Sequence, residues 1–114
     1  MVIARNMPFH DKPGRKSRPV VVLSSDHHNQ VRQDVVVASI SSQPVEGPWD
    51  LNVPEWCEAG LKMPSKVICD SISTVLQDSV MPVGCIEAGT LADVRMKMAM
   101  TLDLCYCRAC DRKR

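Results

Sequence analysis

The sequence predicts a mainly β domain with one good helix: a small β-barrel with a C-terminal helix packed on it. Three observations carry this prediction. Short runs rich in Val and Ile recur along the chain, each bounded by Pro, Gly or polar clusters. Aromatic residues make up only 4% of the chain, so packing falls to small branched side chains that suit strands. Near the C-terminal end, apolar residues recur at three- and four-residue spacing, the pattern of an amphipathic helix.

"MVIARNM" reads as a short first strand at a sheet edge. "PFHDKPGRKS" follows, with two prolines and a glycine among polar residues, and is a loop. "RPVVVLSS" is a strand with Pro19 at its start, where a missing N–H is tolerated. Val20, Val21, Val22 and Leu23 are apolar without alternation, which predicts cover on both faces. "SSDHHNQVRQ" is a polar connection with room for one helical turn capped by Ser25 or Asp26. "DVVVASISSQ" (34–43) is the second strong strand, broken by "PVEGP". In "WDLNVPE", Trp49, Leu51 and Val53 alternate with polar neighbours, a half-exposed strand. A turn region, "AGLKMPSKV", leads into "SKVICDSISTV", and "MPVGCIEAG" gives a short last strand. "TLAD" (Thr90 to Asp93) fits a capping box with Asp93 at its third helical position. Leu91, Val94, Met98, Leu102 and Cys105 then lie on one helical face, and the Met96, Met98, Met100 group reads as packing.

At 114 residues the chain has the length of one domain and can bury a core without staples. We divide it into a barrel domain with its helix, 1–104, and a Cys-rich basic tail, 105–114. The 45% apolar and 24% charged residues match a globular profile. No apolar run reaches the ~20 residues of a membrane span. The first residues also lack a signal-peptide pattern, so a cytoplasmic protein with no membrane partner is expected. In that compartment six cysteines are expected as thiols, Cys69 and Cys85 as small core residues. Cys105, Cys107 and Cys110 form C-x-C-x-x-C, three ligands where zinc commonly takes four, so no metal or other cofactor is expected. A net charge of +1 hides two basic ends. Residues 1–18 carry five cations against one acid, residues 108–114 four against one, and the span between them five against eleven. Clustered cations suit an anionic partner, nucleic acid being the usual candidate.

"GRKSRPVVVLSS" (14–25) runs three cations straight into the first strong strand. A guanidinium keeps its charge at ordinary pH. A strand that pins the base of Arg18 to a rigid core therefore holds a cation in place, which is useful if it must meet an anion.

The ordered segments "IARNMPFHD", "GRKSRPVVVLSSDHHN", "DVVVASISSQP", "AGLKMPSKVICDSISTV", "VGCI" and "TLADV" resemble the MazF/PemK family of bacterial toxins, the toxin halves of type II toxin–antitoxin pairs. The landmarks are a "PF-D" loop, "RP" opening a strand, "LS-D--N", an "I-[TS]-S-Q" strand end, and "GL---S-V--D" before the closing helix. The resemblance covers nearly the whole chain. It implies an SH3-like barrel of the MazF/PemK/CcdB kind, a homodimer, a cognate antitoxin, and a metal-independent endoribonuclease acting on single-stranded RNA. It also implies that Arg18 and Ser41 are the catalytic pair, Ser41 standing where the family most often has Thr. Where some members carry an arginine two places before the third strand's aspartate, this chain has Ile68 ahead of Asp70, and no role carries over. The family's usual Gly-Asp before the first strand is absent.

On that reading Lys12, Arg15 and Lys16 would line the RNA path, and His10, eight residues before Arg18, is either a loop histidine or, having the ring chemistry for it, a proton-transfer residue in the same groove. Ser42 and Gln43 end the second strong strand, where Gln43 would read a base edge or hold the loop. Asp70 would orient Arg18, read a base amino group, or serve as a structural turn aspartate. His27 and His28 read as packing or capping residues; Trp49 and Trp56 as core packing, base stacking or a partner contact. The alternatives to a sequence-selective RNA-cleaving toxin are a catalytically weak or inactive family member and a CcdB-like gyrase-binding toxin.

Overall fold

The structure, a computed structural model, describes the backbone of Val2–Arg5 and residues 18–104. In chain order its elements are β1 (Val2–Arg5), β2 (Val20–Val22), α1 (Asp26–Val31), β3 (Asp34–Ser41), β4 (Asp50–Val53), β5 (Ser65–Leu76), a 3-10 turn at Gln77–Ser79, β6 (Met81–Cys85) and α2 (Ala88–Thr101). The strands form one six-stranded sheet in the order β4-β5-β3-β2-β1-β6. Every pairing is antiparallel. The sheet curls into a half-barrel whose edges are β4 and β6. β1 is therefore not the edge strand expected from the sequence: it lies between β2 and β6.

The curl has a local cause. Ala38 of β3 faces Ile72 of β5, but the next residue, Ser39, faces Ile68. Residues 69–71 are left out of the β3 ladder, a bulge that bends β5 and sharpens its twist. The bulge is tied from both sides: the Ser39 and Ser71 hydroxyls lie 2.9 Å apart, and the Cys69 amide donates to the Trp49 carbonyl at 2.9 Å. The segment after β4 then crosses toward β6. Gly60 has φ +94°, and its Cα faces the Val83 carbonyl so closely that a Cβ would sit 2.6 Å from that oxygen. A Cβ on Gly84 would overlap the Ala59 carbonyl outright. Two glycines thus allow backbone-to-backbone contact where no ladder closes the barrel.

The valine run is covered on both faces, as its lack of alternation predicts. Val21, Leu23, Ala38 and Ile40 belong to the main core with Val53, Ala59, Val67, Cys69, Ile86, Leu91 and Val94. Val20, Val22, Val35 and Val37 form a second cluster on the other face, against Val75 and Val80. Fully burying such a side chain contributes roughly 1.5–3 kcal/mol. β2, only three residues long, is therefore held more by packing than by its own ladder.

α1 is the capped helical turn that the sequence predicts: the Ser25 hydroxyl oxygen accepts from the His28 amide at 3.1 Å. α2 departs from expectation at both ends. It begins at Ala88 rather than Thr90, and its capping residue, Glu87, makes no side-chain cap. The carboxylate arrives from elsewhere: Glu55, buried after β4, accepts from the Glu87 amide at 2.8 Å and the Thr90 hydroxyl at 2.7 Å. Thr90 thus spends its hydroxyl on Glu55, not on a capping box. Burial works to raise the Glu55 pKa, but these donors outweigh it and hold the group below its ordinary value. At the other end Asp103 adopts φ 58°. The Asp103 amide bonds the Met100 carbonyl and the Leu104 amide the Ala99 carbonyl, the two bonds of a Schellman motif. Leu91, Val94 and Ala99 face inward with Met98 against them, whereas Leu102, Met96 and Met100 are exposed. Cys85, expected in the core, is exposed; Cys69 is buried, and burial pushes its thiol pKa up to about 11. Trp49 is also exposed, which removes core packing from its three expected roles, while Trp56 is half-buried against the main core.

Gly84→Ala should lower stability by about 1–3 kcal/mol through overpacking, read as a lower urea midpoint. Gly89 has no atom within 4 Å of an added Cβ and lies in α2. Gly89→Ala should therefore leave the midpoint unchanged or raise stability by up to about 1 kcal/mol.

Candidate active-site cleft

The β2–β3 register sets the site. Val20 faces Ser39, Val21 faces Ala38 and Val22 faces Val37. One step further out, the Ile40 amide donates to the Pro19 carbonyl at 3.2 Å, so the pairing continues past the end of β2. The return bond is missing because proline has no N–H. The next step brings Arg18 opposite Ser41. Residues opposed in an antiparallel pair share a face with their side chains adjacent. The same row continues into β5, where Lys66 faces Ser41. Arg18, just before β2, thus lies on one line across the sheet with Ser41 of β3 and Lys66 of β5.

Arg18 and Ser41 line one cleft of about 490 Å³. Its walls include Pro19, Ile40, Leu61 and Val83, with Ser42, Gln43, Lys62 and Ser65 among its polar lining. Of the residues that the sequence singles out, Arg18, Ser41, Ser42 and Gln43 come together here. Asp70 does not line this cleft; it is exposed within the β5 bulge. His10, Lys12, Arg15 and Lys16 lie outside the described residues, as do Cys105, Cys107 and Cys110. Lys62 and Ser65 are missed by the sequence reading, because only the fold carries the 60–65 segment to the mouth of β2. The one signal that marks them is the "GL---S-V--D" landmark, within which Lys62 follows Leu61 and Ser65 is the serine.

The Ser41 hydroxyl is held by its own turn: its oxygen accepts from the Gln43 amide at 3.1 Å. That leaves the Ser41 proton to be donated, since a hydroxyl both accepts and donates. The chain just beyond is anchored from below. Lys66, 3% exposed, donates to the Pro44 carbonyl at 2.7 Å and to Asp50 Oδ2 at 2.6 Å. Asp50 Oδ2 also accepts from the Glu46 amide at 2.9 Å, and Glu46 Oε1 lies 3.9 Å from Lys66 Nζ. The Lys66 hydrogen bond, followed by the Glu46 amide, holds the Asp50 carboxyl below its ordinary value despite burial. A buried lysine next to a strand end is not legible in sequence, where lysine defaults to solvent.

The described residues 18–102 fall within a match, spanning residues 3–102, to the family model of PemK-like, MazF-like toxins of type II toxin–antitoxin systems. The chain belongs to this family. Its fold is that of solved MazF structures. The Mycobacterium tuberculosis toxin MazF-mt6 superposes with a TM-score of 0.77 at 21% identity, over 93% of this chain and 100% of that one. MazF in the MazE–MazF complex of Deinococcus radiodurans gives 0.74 at 21% identity, over 91% and 93%. An endoribonuclease in complex with its cognate antitoxin from a mycobacterial species gives 0.72 at 18% identity, over 93% and 95%. No curated protein sequence matches this MazF-like toxin. No helix among its described residues is long and apolar enough to cross a membrane.

The two depressed carboxyls set an acid limit. A group whose folded pKa is lowered stabilises the fold above its unfolded value, and that contribution disappears as pH falls through the folded value. Stability should therefore hold from neutral pH toward the ordinary values of 4.5 for Glu55 and 3.8 for Asp50 and decline below them. Glu55→Gln and Asp50→Asn should each flatten that decline in a pH series of thermal unfolding.

Proposed function

We propose that this chain is a toxin endoribonuclease that cuts single-stranded RNA, mRNA included, at short sequences, restrained by a cognate antitoxin. The observation that supports it best is the placement of Arg18, at the entry to β2, and Ser41, at the end of β3, in one cleft. RNA carries its own nucleophile, the 2′-OH. In the step we propose, the 2′ oxygen attacks phosphorus and the P–O5′ bond breaks. The 2′ proton passes to a base and the departing 5′ oxygen takes up a proton, leaving a 2′,3′-cyclic phosphate and a 5′-hydroxyl.

Arg18 suits the role of gripping the phosphate, because a guanidinium donates two parallel hydrogen bonds to such a group. Ser41 adds a donor from the facing strand, its oxygen already occupied by the Gln43 amide. Charge builds on the phosphate oxygens as the bond forms, and donors fixed beforehand spend nothing on reorganisation at that moment. The reading calls on no metal ion. His10 is the candidate for proton transfer, and Lys12, Arg15, Lys16 and Lys62 for guiding the backbone of the RNA. Ser42 and Gln43 at the cleft rim suit contacts to the bases beside the cut, and Asp70, outside the cleft, is assigned to a flanking nucleotide. The antitoxin is proposed to lay an acidic segment over the same cations. The MazE–MazF and endoribonuclease–antitoxin complexes among the similar folds support such a partner, and a homodimer is the assembly proposed for the free toxin.

The test is incubation of the purified protein with a long unstructured RNA in EDTA, followed by sequencing of the ends. Discrete cuts with 5′-hydroxyl ends are expected, and a 2′-deoxy nucleotide at the cut position should block them. Arg18→Ala should slow cleavage by about a hundredfold to a thousandfold, the usual cost of one preorganised donor, with unchanged thermal unfolding. Ser41→Thr should remain active, and Ser41→Ala should slow cleavage by about a hundredfold to a thousandfold and leave a measurable residual rate. Undiminished cutting by Arg18→Ala would remove Arg18 from the mechanism.

A further inference from the structure

The cleft residues rest on a buried ion pair that takes no direct part in lining the cleft. The Lys66 side chain is 4% exposed and that of Asp50 8%. Two charges so far from water persist only if each is paired and their remaining capacity is used. Here that capacity goes to one place, the loop that follows Ser41. The Lys66 ammonium bonds the Pro44 carbonyl, and the Asp50 carboxylate bonds the Glu46 amide. Pro44 directly follows Gln43, whose amide occupies the Ser41 oxygen. Lys66 is also the residue facing Ser41 across the β3–β5 ladder. A backbone carbonyl and a backbone amide two residues apart are thus both fixed to the sheet, and the short turn between them and Ser41 has little freedom left.

We propose that the Lys66–Asp50 pair is a positioning device for Ser41: by pinning the 43–46 segment it keeps the Gln43 amide on the Ser41 oxygen and so directs the Ser41 proton into the cleft. The inference rests on the cleavage reading given above for its catalytic half. Neither residue touches the substrate, and both act through Ser41. With the pin removed, the segment swings, the Ser41 hydroxyl is free to donate elsewhere, and a preorganised donor becomes an averaged one. Small misplacements of this kind are worth up to about a hundredfold in rate.

Two variants of the whole protein test it. Lys66→Met removes one charge, and Lys66→Met/Asp50→Asn removes both, so no charge is stranded if the single variant fails to fold. In each folded variant the backbone amide order parameters of Gln43, Val45 and Glu46 should drop toward about 0.6 while those of β3 and β5 stay near about 0.85. Cleavage should fall about tenfold or more in kcat with little change in KM, the mark of an interaction felt at the transition state. In a Ser41→Ala background the same substitutions should bring no further loss, because a residue that acts through Ser41 has nothing left to position. A loss that multiplies in that background, or order parameters at Gln43, Val45 and Glu46 that stay at the wild-type value, would overturn the inference. A wild-type protein that fails to cut RNA would overturn the cleavage reading and the catalytic half of this one, and the order parameters would still decide whether the pin exists.

Discussion

The pairing of β2 with β3 is the constraint on which the rest depends. Four valines from the two strands fill one cluster on one face, while Val21, Leu23, Ala38 and Ile40 enter the main core on the other. A one-residue slip would exchange these sets and send every side chain to the wrong face. The register is therefore fixed by burial on both sides, and it is the register that puts Arg18 across from Ser41. A short strand could not set that geometry with hydrogen bonds alone, particularly one that opens with a proline.

Around this pair the protein places buried charge at the points where chain must be held without a ladder. Glu55 takes the Glu87 amide and the Thr90 hydroxyl, joining the segment after β4 to the start of α2. A carboxylate at that end of a helix is also favoured by the helix dipole. Lys66 and Asp50 do the same for the loop after β3. Neither arrangement is a general stabiliser in the way an apolar contact is, since a buried pair returns little beyond its desolvation cost. What it supplies is a defined position for one stretch of backbone. Gly60 and Gly84 serve the same end by omission, letting the two backbones meet between the open edges of the sheet.

Much of this was legible in the chain. The unalternated valines announced a doubly covered strand, Ser25 announced the cap of α1, and the leucine–valine–methionine spacing announced α2. The order of the landmarks pointed to the toxin family, and the arginine before proline pointed to a residue that does line the cleft. The misses share a cause. Thr90 and Asp93 fit a capping box locally, yet a glutamate 35 residues before Thr90 takes the threonine's hydroxyl. Trp49 and Cys85 look apolar enough to pack, but Trp49 sits in the turn before β4 and Cys85 at the end of the edge strand β6, and both are exposed. Lys66 looks like a solvent lysine until β4 and the loop after β3 close over it.

The sequence alone determined which segments become strands and helices, because periodicity and punctuation act over a few residues and are written where they act. It also determined the family, through the order of its motifs. Only the tertiary structure decided that Arg18 and Ser41, 23 positions apart, share one cleft, that Lys62 and Ser65 join them, and that Asp70 stands outside it. Register, bulges and buried charge pairs are settled by contacts between segments distant in the chain, and such contacts exist only once the sheet has curled.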